Sequence, residues 1–365
     1  MPLVPPNIQA LIPYQPGRNA DDIRREFGIS RVIKLASNEN PLGPSPKAVA
    51  RIATILDDVH LYPDGGQKLR QELANRFRVK VANVVVGSGS EAIMANVLRT
   101  FLCDDEEVLT ADGTFIGFYV LARSRGVKLV TVPLKDYHYD LEGIAAAITS
   151  KTKIIYLANP NNPTGTTFGR GEFEAFMKHV PSNCLVILDE AYFEYAQENP
   201  DYPDSMQYRL DNVITLRTFS KAYGLAGIRI GYGFAHEELC DNVRKVKLPF
   251  EPSIAAEAAG LGALEDREFL TKTLEVNRRG KEFLADALSD LGLSVIPTDA
   301  NFFLVPLASE ADAMQLYTDL LRRGVIIRPL KAFGIPHGLR ITIGTQDQNN
   351  VLISALKAVL PVHHA

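Results

Sequence analysis

Cysteine is scarce. Cys103, Cys184 and Cys240 are the three occurrences in 365 residues, widely spaced and without a Cys-x-x-Cys pair. They read as thiols of a reducing compartment, not as a disulfide framework. The seven histidines show no His-x-x-x-His spacing, and His363 and His364 fall on the C-terminal tail, so no metal site is expected. There is no long basic run and the net charge is -4, which gives no reason to expect nucleic acid as a partner. No apolar run approaches the roughly 20 residues that a membrane helix needs. The opening Met1-Pro2-Leu3-Val4-Pro5-Pro6 has no charged stretch followed by an apolar core, so no signal peptide is expected and the location should be cytoplasmic. An ordinary globular composition remains, 46% hydrophobic and 22% charged, in a chain long enough for two domains.

Three segments differ in texture. Residues 1–45 are rich in proline and glycine around one short helix near Ala20–Phe27, and should lie across something larger. From 46 to about 250, short apolar runs alternate with helical stretches: Val84–Gly87, Glu107–Thr110, Leu129–Pro133, Ile154–Ala158, Leu185–Leu188 and Val213–Leu216. That alternation predicts an α/β fold with a mostly parallel sheet covered on both faces. After the prolines at 249 and 252, helices are expected over about 253–265 and 267–291. Strands are then expected at Asn301–Pro306, Val325–Arg328 and Leu339–Ile343, making 251–365 a smaller α+β domain completed by the N-terminal segment.

Four apolar runs end in polar residues that an ordinary loop does not demand. Ligands of open parallel sheets bind outside the carboxyl ends of the strands, so these positions should converge. Val86-Gly87-Ser88-Gly89-Ser90-Glu91-Ala92 leads into a helix, whose free N–H groups suit an anion. Alone it is a weak signal, since a Gly-Ser turn before a helix is often merely a cap, and it even satisfies the Gly-x-Gly-x-x-Ala pattern of a dinucleotide site. Asn159-Pro160-Asn161-Asn162-Pro163-Thr164-Gly165 holds two amides between prolines, as a rigid turn also would. Asp189 emerges from an apolar strand, where a carboxylate needs a partner or caps a helix; Glu190 reads as a structural or solvated neighbour. Lys221 follows a buried strand among small residues, with Thr218, Ser220 and Arg229 nearby. Partial burial there would favour the neutral amine that a Schiff-base lysine requires, although most lysines are simply surface charges.

In this order the motifs resemble a fold-type I aminotransferase dependent on pyridoxal phosphate (PLP), whose cofactor asks for a lysine, an acid at the ring nitrogen and a phosphate cradle. The resemblance implies that Lys221 carries the cofactor and shuttles a proton, that Asp189 pairs with the ring nitrogen, and that Asn162 and Tyr192 hydrogen-bond the ring oxygen. It further implies that Phe115 stacks on the ring. Ser90 and Glu91 (through backbone N–H groups), Thr218, Ser220 and Arg229 would hold the phosphate. Tyr62 is similar to the tyrosine that reaches a neighbouring subunit's phosphate, which implies a homodimer.

On the substrate side, Pro13-Tyr14-Gln15-Pro16-Gly17, the run Ile33–Pro46, Gly324–Pro329 and Leu339–Thr345 resemble the histidinol-phosphate aminotransferase family. That resemblance implies exchange of an amine between histidinol phosphate and 2-oxoglutarate, with Tyr14, Arg328 and Arg340 holding anionic groups and Asn40 and Asn301 lining the same pocket. Departures are Ala92 where relatives carry an acid, Gly113 where proline is common, and Phe115 in place of tyrosine. The nearest competing activities are an aromatic amino acid aminotransferase and a PLP decarboxylase of a phosphorylated amino acid. An NAD-dependent oxidoreductase would leave Lys221, Asp189 and Asn162 unexplained, and a non-catalytic relative would be expected to have lost Lys221.

Overall fold

The computed structural model describes residues 3–13 and 17–360. Among them the strands, in chain order, are β1 (Ile33–Lys34), β2 (Val84–Gly87), β3 (Glu107–Asp112), β4 (Lys128–Pro133), β5 (Thr152–Ala158), β6 (Leu185–Asp189), β7 (Val213–Thr218), β8 (Gly231–Phe234), β9 (Phe302–Pro306), β10 (Val325–Ile326), β11 (Arg328–Pro329) and β12 (Gly338–Thr342). They form a seven-stranded sheet in the order β2-β8-β7-β6-β5-β3-β4, a three-stranded sheet β11-β12-β9, and the two-stranded pair β1-β10.

The seven-stranded sheet is parallel from β7 through β4, with β8 antiparallel to both of its neighbours. Its central strands read as near-continuous apolar runs because both faces are covered: Ile154–Ala158, Leu185–Leu188 and Val213–Leu216 are buried at every position. One face packs on Val97, Phe118, Ile187 and Ile214, the other on Leu109, Ile155, Phe173 and Leu188. Helices Ile254–Glu265 and Arg267–Asp290 follow the predicted limits closely.

Two expectations change. Gly231–Phe234 is a further strand, not among those expected, wedged between β2 and β7. Its glycine-rich stretch carries little apolar signal, yet the space demands it: a Cβ at Gly233 would lie 2.9 Å from the Thr215 carbonyl oxygen. Val325–Arg328 is not one strand, since Val325–Ile326 pairs with Ile33–Lys34 while Arg328–Pro329 pairs with β12. The N-terminal segment is thereby tied down, with Ile33 opposite Val325 and Leu35 N–H donating to the Ile326 carbonyl. No helix of the described residues is long and apolar enough to cross a membrane.

Candidate functional site

The polar residues that follow β2, β5, β6 and β7 meet at one end of the seven-stranded sheet, around a small chamber of about 120 Å³. Ser90, Glu91, Phe115, Asn162, Asp189, Tyr192, Thr218, Ser220, Lys221 and Arg229 all line it. It opens into a second chamber of about 430 Å³, walled by Ala36–Asn38, Phe115–Gly117, Val120, Phe333, Arg328 and Arg340. A cavity of similar size, about 480 Å³, lies between Arg78 and His236 and contains none of these residues.

One wall of the small chamber is built on glycine. Gly89 caps the helix Ser90–Phe101 with φ of 88°, a region open to glycine, and a Cβ there would meet the Arg229 guanidinium at 2.7 Å. At Gly231 a Cβ would lie 2.3 Å from the Ser90 backbone nitrogen. These two absent side chains let Arg229 and the helix N-terminus come together. Thr218 Oγ1 donates to Ser220 Oγ at 3.1 Å, and Arg229 Nη1 lies 3.4 Å from the same Ser220 oxygen. The result is a cluster of donors, one of them a fixed cation, at the positive end of a helix: an anion cradle.

Opposite the cradle, Asp189 closes β6 and is 5% exposed. Burial pushes its carboxyl up to about 6, against the pull of the Tyr156 hydroxyl at 2.8 Å, the Ala191 N–H at 3.2 Å and the Lys221 charge. Tyr156, itself buried, is held well above its ordinary range and stays a donor. A cation seated against Asp189 would favour its ionised form. Lys221 is half-buried between the two chambers, its ammonium 5.5 Å from the centre of the Tyr192 ring.

Rigid backbone fixes the amides. Asn161 is locked by Gly113, Thr114 and Thr164, which leaves Asn162 to face the chambers. Arg340, on β12 and 5% exposed, donates to Asn162 Oδ1 and to the Ala36 carbonyl at 2.8 Å. Its guanidinium carbon lies 5.3 Å from the Phe302 ring centre and 5.7 Å from that of Phe333. Arg328 sits directly opposite Arg340 in the β11-β12 register, so both cations face the larger chamber. Like charges opposed on neighbouring strands are unfavourable, and an anion between them removes the penalty. Glu91 adds a carboxylate on the other wall, where a Cβ at Gly117 would be 2.9 Å from its Oε1.

Some predicted residues fall elsewhere. Asn40 does not line the pocket: its amide donates to the Ala222 carbonyl at 2.9 Å and to Thr273 Oγ1 at 3.0 Å, bracing the lysine loop from behind. Asn301 is also withdrawn, donating to the Asn38 carbonyl at 3.2 Å. Asn38 takes the place at the chamber wall. Tyr62 lies outside the pocket, 80% exposed and stacked on Phe250 at 4.2 Å. Tyr14 lies outside the described residues.

A buried ion pair stands beside the site without a signal in the sequence. Glu190 is structural and fully buried: it accepts from Arg217 Nε at 2.9 Å, and Arg217 bridges to Asp204 at 2.8 Å. The guanidinium carbon lies 3.3 Å from the Phe193 ring centre. This pair joins the ends of β6 and β7, the strands that deliver Asp189 and Lys221.

Residues 30–356 match the model of the aminotransferase class I and II family. The chain belongs to that family. Among curated relatives of this aminotransferase, histidinol-phosphate aminotransferase of an Anaeromyxobacter species is 43% identical over 99% of this chain and 100% of its own length. The enzyme of that name from Brevibacillus brevis is 45% identical over 95% of each chain. Histidinol-phosphate aminotransferase from Sinorhizobium meliloti, solved with pyridoxal-5'-phosphate, superimposes with a TM-score of 0.88 at 30% identity, covering 99% of this chain and 98% of that one. The fold is that of the PLP-dependent aminotransferases of fold type I. The donor set of the small chamber fits that cofactor: a lysine, a buried carboxylate across from it, and an anion cradle whose space depends on Gly89 and Gly231.

Proposed function

We propose that the chain is a histidinol-phosphate aminotransferase with pyridoxal phosphate as cofactor. It would exchange an amino group between L-histidinol phosphate and 2-oxoglutarate, or in reverse between glutamate and imidazole-acetol phosphate. The observation that carries the reading is the pair Arg328 and Arg340, opposed in register at the wall of a chamber that also holds Lys221. Both alternating substrates carry an anion close to the reacting amine, histidinol phosphate as the phosphate of a CH₂–O group on the amine-bearing carbon and glutamate as a carboxylate on that carbon. A planar guanidinium fork accepts either geometry.

Pyridoxal phosphate, when bound, withdraws electrons from the substrate carbon that bears the amine. The side chains do the rest. Arg229, Ser220, Thr218 and the N–H groups of Ser90 and Glu91 hold the phosphate, while Phe115 packs on the ring. Asp189 meets the ring nitrogen as a carboxylate, and Asn162 and Tyr192 donate to the ring oxygen. Lys221, which lines both chambers, would hold the cofactor and would carry the proton to and from the substrate Cα. Glutamate leaves as 2-oxoglutarate before the ketone enters the same chamber, so turnover follows a ping-pong course. Glu91 is the carboxylate of the larger chamber suited to an imidazole N–H.

A second reading, an aromatic amino acid aminotransferase, is favoured by the apolar walls at Phe115, Ile116, Val120 and Phe333. Exposed Leu61, Tyr62, Leu248 and Phe250 support a homodimer in which Tyr62 serves the partner's site. A cytoplasmic location agrees with this biosynthetic role. The test is the absorbance of the PLP-loaded protein on separate addition of L-histidinol phosphate, glutamate and phenylalanine. Conversion to the amine form of the cofactor by the first two, and weakly by phenylalanine, is the expected result. Equal conversion by phenylalanine would select the aromatic activity, and release of carbon dioxide a decarboxylase. If no cofactor band forms, the assignment of Lys221 fails and the function with it.

A further inference from the structure

We propose that Asn38 is a positioning residue which sets the direction of the Tyr192 hydroxyl, so that the phenol proton is delivered into the cofactor chamber. The inference rests on the functional reading above and deepens it.

A chain of hydrogen bonds carries it, each fixing the polarity of the next. The Asn38 backbone N–H donates to Thr342 Oγ1 at 3.0 Å. A hydroxyl that accepts there still has its own proton to give, and Thr342 gives it to Asn38 Oδ1, also at 3.0 Å. With Oδ1 engaged, the amide turns Nδ2 toward Tyr192 and donates to the phenol oxygen at 2.9 Å. An amide NH₂ donates and does not accept. Tyr192 therefore cannot direct its proton at Asn38, and the phenol is left with the chamber that it lines. Asn38, Thr342 and Tyr192 are all buried, so water does not compete for these bonds.

The backbone agrees with this role. Asn38 holds φ of 57°, the left-handed region that asparagine tolerates better than most side chains. Its carbonyl is secured by Asn301 Nδ2 at 3.2 Å. The three anchors come from different parts of the fold: Thr342 ends β12 of the three-stranded sheet, Asn38 belongs to the N-terminal segment, and Tyr192 follows β6 of the seven-stranded sheet. The phenol points inward only when all three are seated together.

A merely structural clamp would need these contacts but not their polarity, and aspartate tests the difference. Asn38→Asp keeps size and tolerance of positive φ but offers only acceptors, so it would draw the Tyr192 proton away from the chamber. Thr342→Val removes the hydroxyl that orients the amide without adding charge, and Thr342→Ser keeps that hydroxyl. The readout is the pH midpoint of the visible absorbance of PLP bound to Lys221. Withdrawing a donor from the ring oxygen lets that oxygen hold the proton shared with the lysine nitrogen more firmly, so the midpoint rises. Asn38→Asp is expected to raise it by about one pH unit. Thr342→Val should shift it less in the same direction, and Thr342→Ser should match the unsubstituted chain. In a Tyr192→Phe background neither Asn38→Asp nor Thr342→Val should move it further. Unchanged midpoints in both single variants would overturn the proposal, as would shifts of undiminished size without the phenol. Failure of the unsubstituted chain to take up PLP would overturn the functional reading and this inference together.

Discussion

Arg340 donates to the side-chain oxygen of Asn162 across the seam between the three-stranded and seven-stranded sheets. One guanidinium thus touches both the wall expected to hold substrate anions and the amide expected to hold the cofactor. Arg340→Lys should not substitute, because an ammonium cannot reach the Ala36 carbonyl, Asn162 and a substrate anion in one plane. Loss of a buried charge-assisted contact of this kind is worth about 2–3 kcal/mol, so kcat/KM should fall roughly 30- to 150-fold with both glutamate and histidinol phosphate. A loss confined to one of the two substrates in steady-state kinetics would show that they do not share this arginine.

Asp189 gives a prediction in which stability and activity move in opposite directions. Folded, its carboxyl keeps a proton up to about pH 6, compared with an ordinary value of 3.8. The folded state therefore binds more protons than the unfolded state in that window, and stability of the cofactor-free protein declines as pH rises through it. Above it the ionised carboxylate is worth a penalty of roughly 3 kcal/mol. Asp189→Asn should raise the melting temperature of the cofactor-free protein at neutral pH, lose that advantage near pH 4, and lose transamination at every pH. Thermal melts across this range, paired with activity, check all three.

The phosphate cradle is open to a pair of alanine substitutions with different outcomes. At Gly89 the added methyl would press on the Arg229 guanidinium and be strained by the φ of 88°, so Gly89→Ala should lose about 1–3 kcal/mol of stability and weaken PLP binding about 10- to 100-fold. At Gly231 the methyl would meet the Ser90 backbone, which cannot step aside, so Gly231→Ala should lower stability further. Equilibrium dialysis with PLP and denaturant melts separate the two. Equal PLP affinity in Gly89→Ala would place the phosphate elsewhere.

Leu61 and Leu248 are 55% and 63% exposed beside the stacked Tyr62–Phe250 pair. Such neighbouring apolar side chains suit an interface with a second copy. Leu61→Lys with Leu248→Lys should yield monomers in sedimentation analysis and release PLP more readily, since Tyr62 of one chain would no longer reach the other's site. A monomeric parent protein with full activity would remove Tyr62 from the cofactor site.

Much of the sheet was legible because its strands are buried on both faces and read as short apolar runs. Val84–Gly87 was predicted to its limits, and β3 to β7 missed by one or two residues at their ends. Gly231–Phe234 escaped because glycine at alternate positions, demanded by crowding between β2 and β7, erases the apolar pattern. The cofactor chamber was legible for a different reason: most of its residues end or follow a parallel strand, and the sheet brings those ends together, with Arg229 arriving just before the antiparallel β8. The wall contributed by the N-terminal segment was not. Asn38 and Asn40 stand two residues apart among similar neighbours, and only the left-handed turn at Asn38 decides which amide faces Tyr192. Nor does the sequence distinguish Glu190 as solvated from Glu190 as half of a buried pair, because its partner Arg217 is 27 residues away.

The short strand Ile33–Lys34 has its partner at Val325–Ile326, nearly the whole chain later. On a ribosome β1 emerges well ahead of its partner and can pair only once Val325 and Ile326 have been made. The seven-stranded sheet draws on residues 84–234 and can assemble before then. The wall that holds Asn38 can close only afterwards, so completion of the pocket waits on the synthesis of β10. A product truncated before residue 325 would contain every residue of the small chamber, with no strand to fasten Asn38 beside Tyr192.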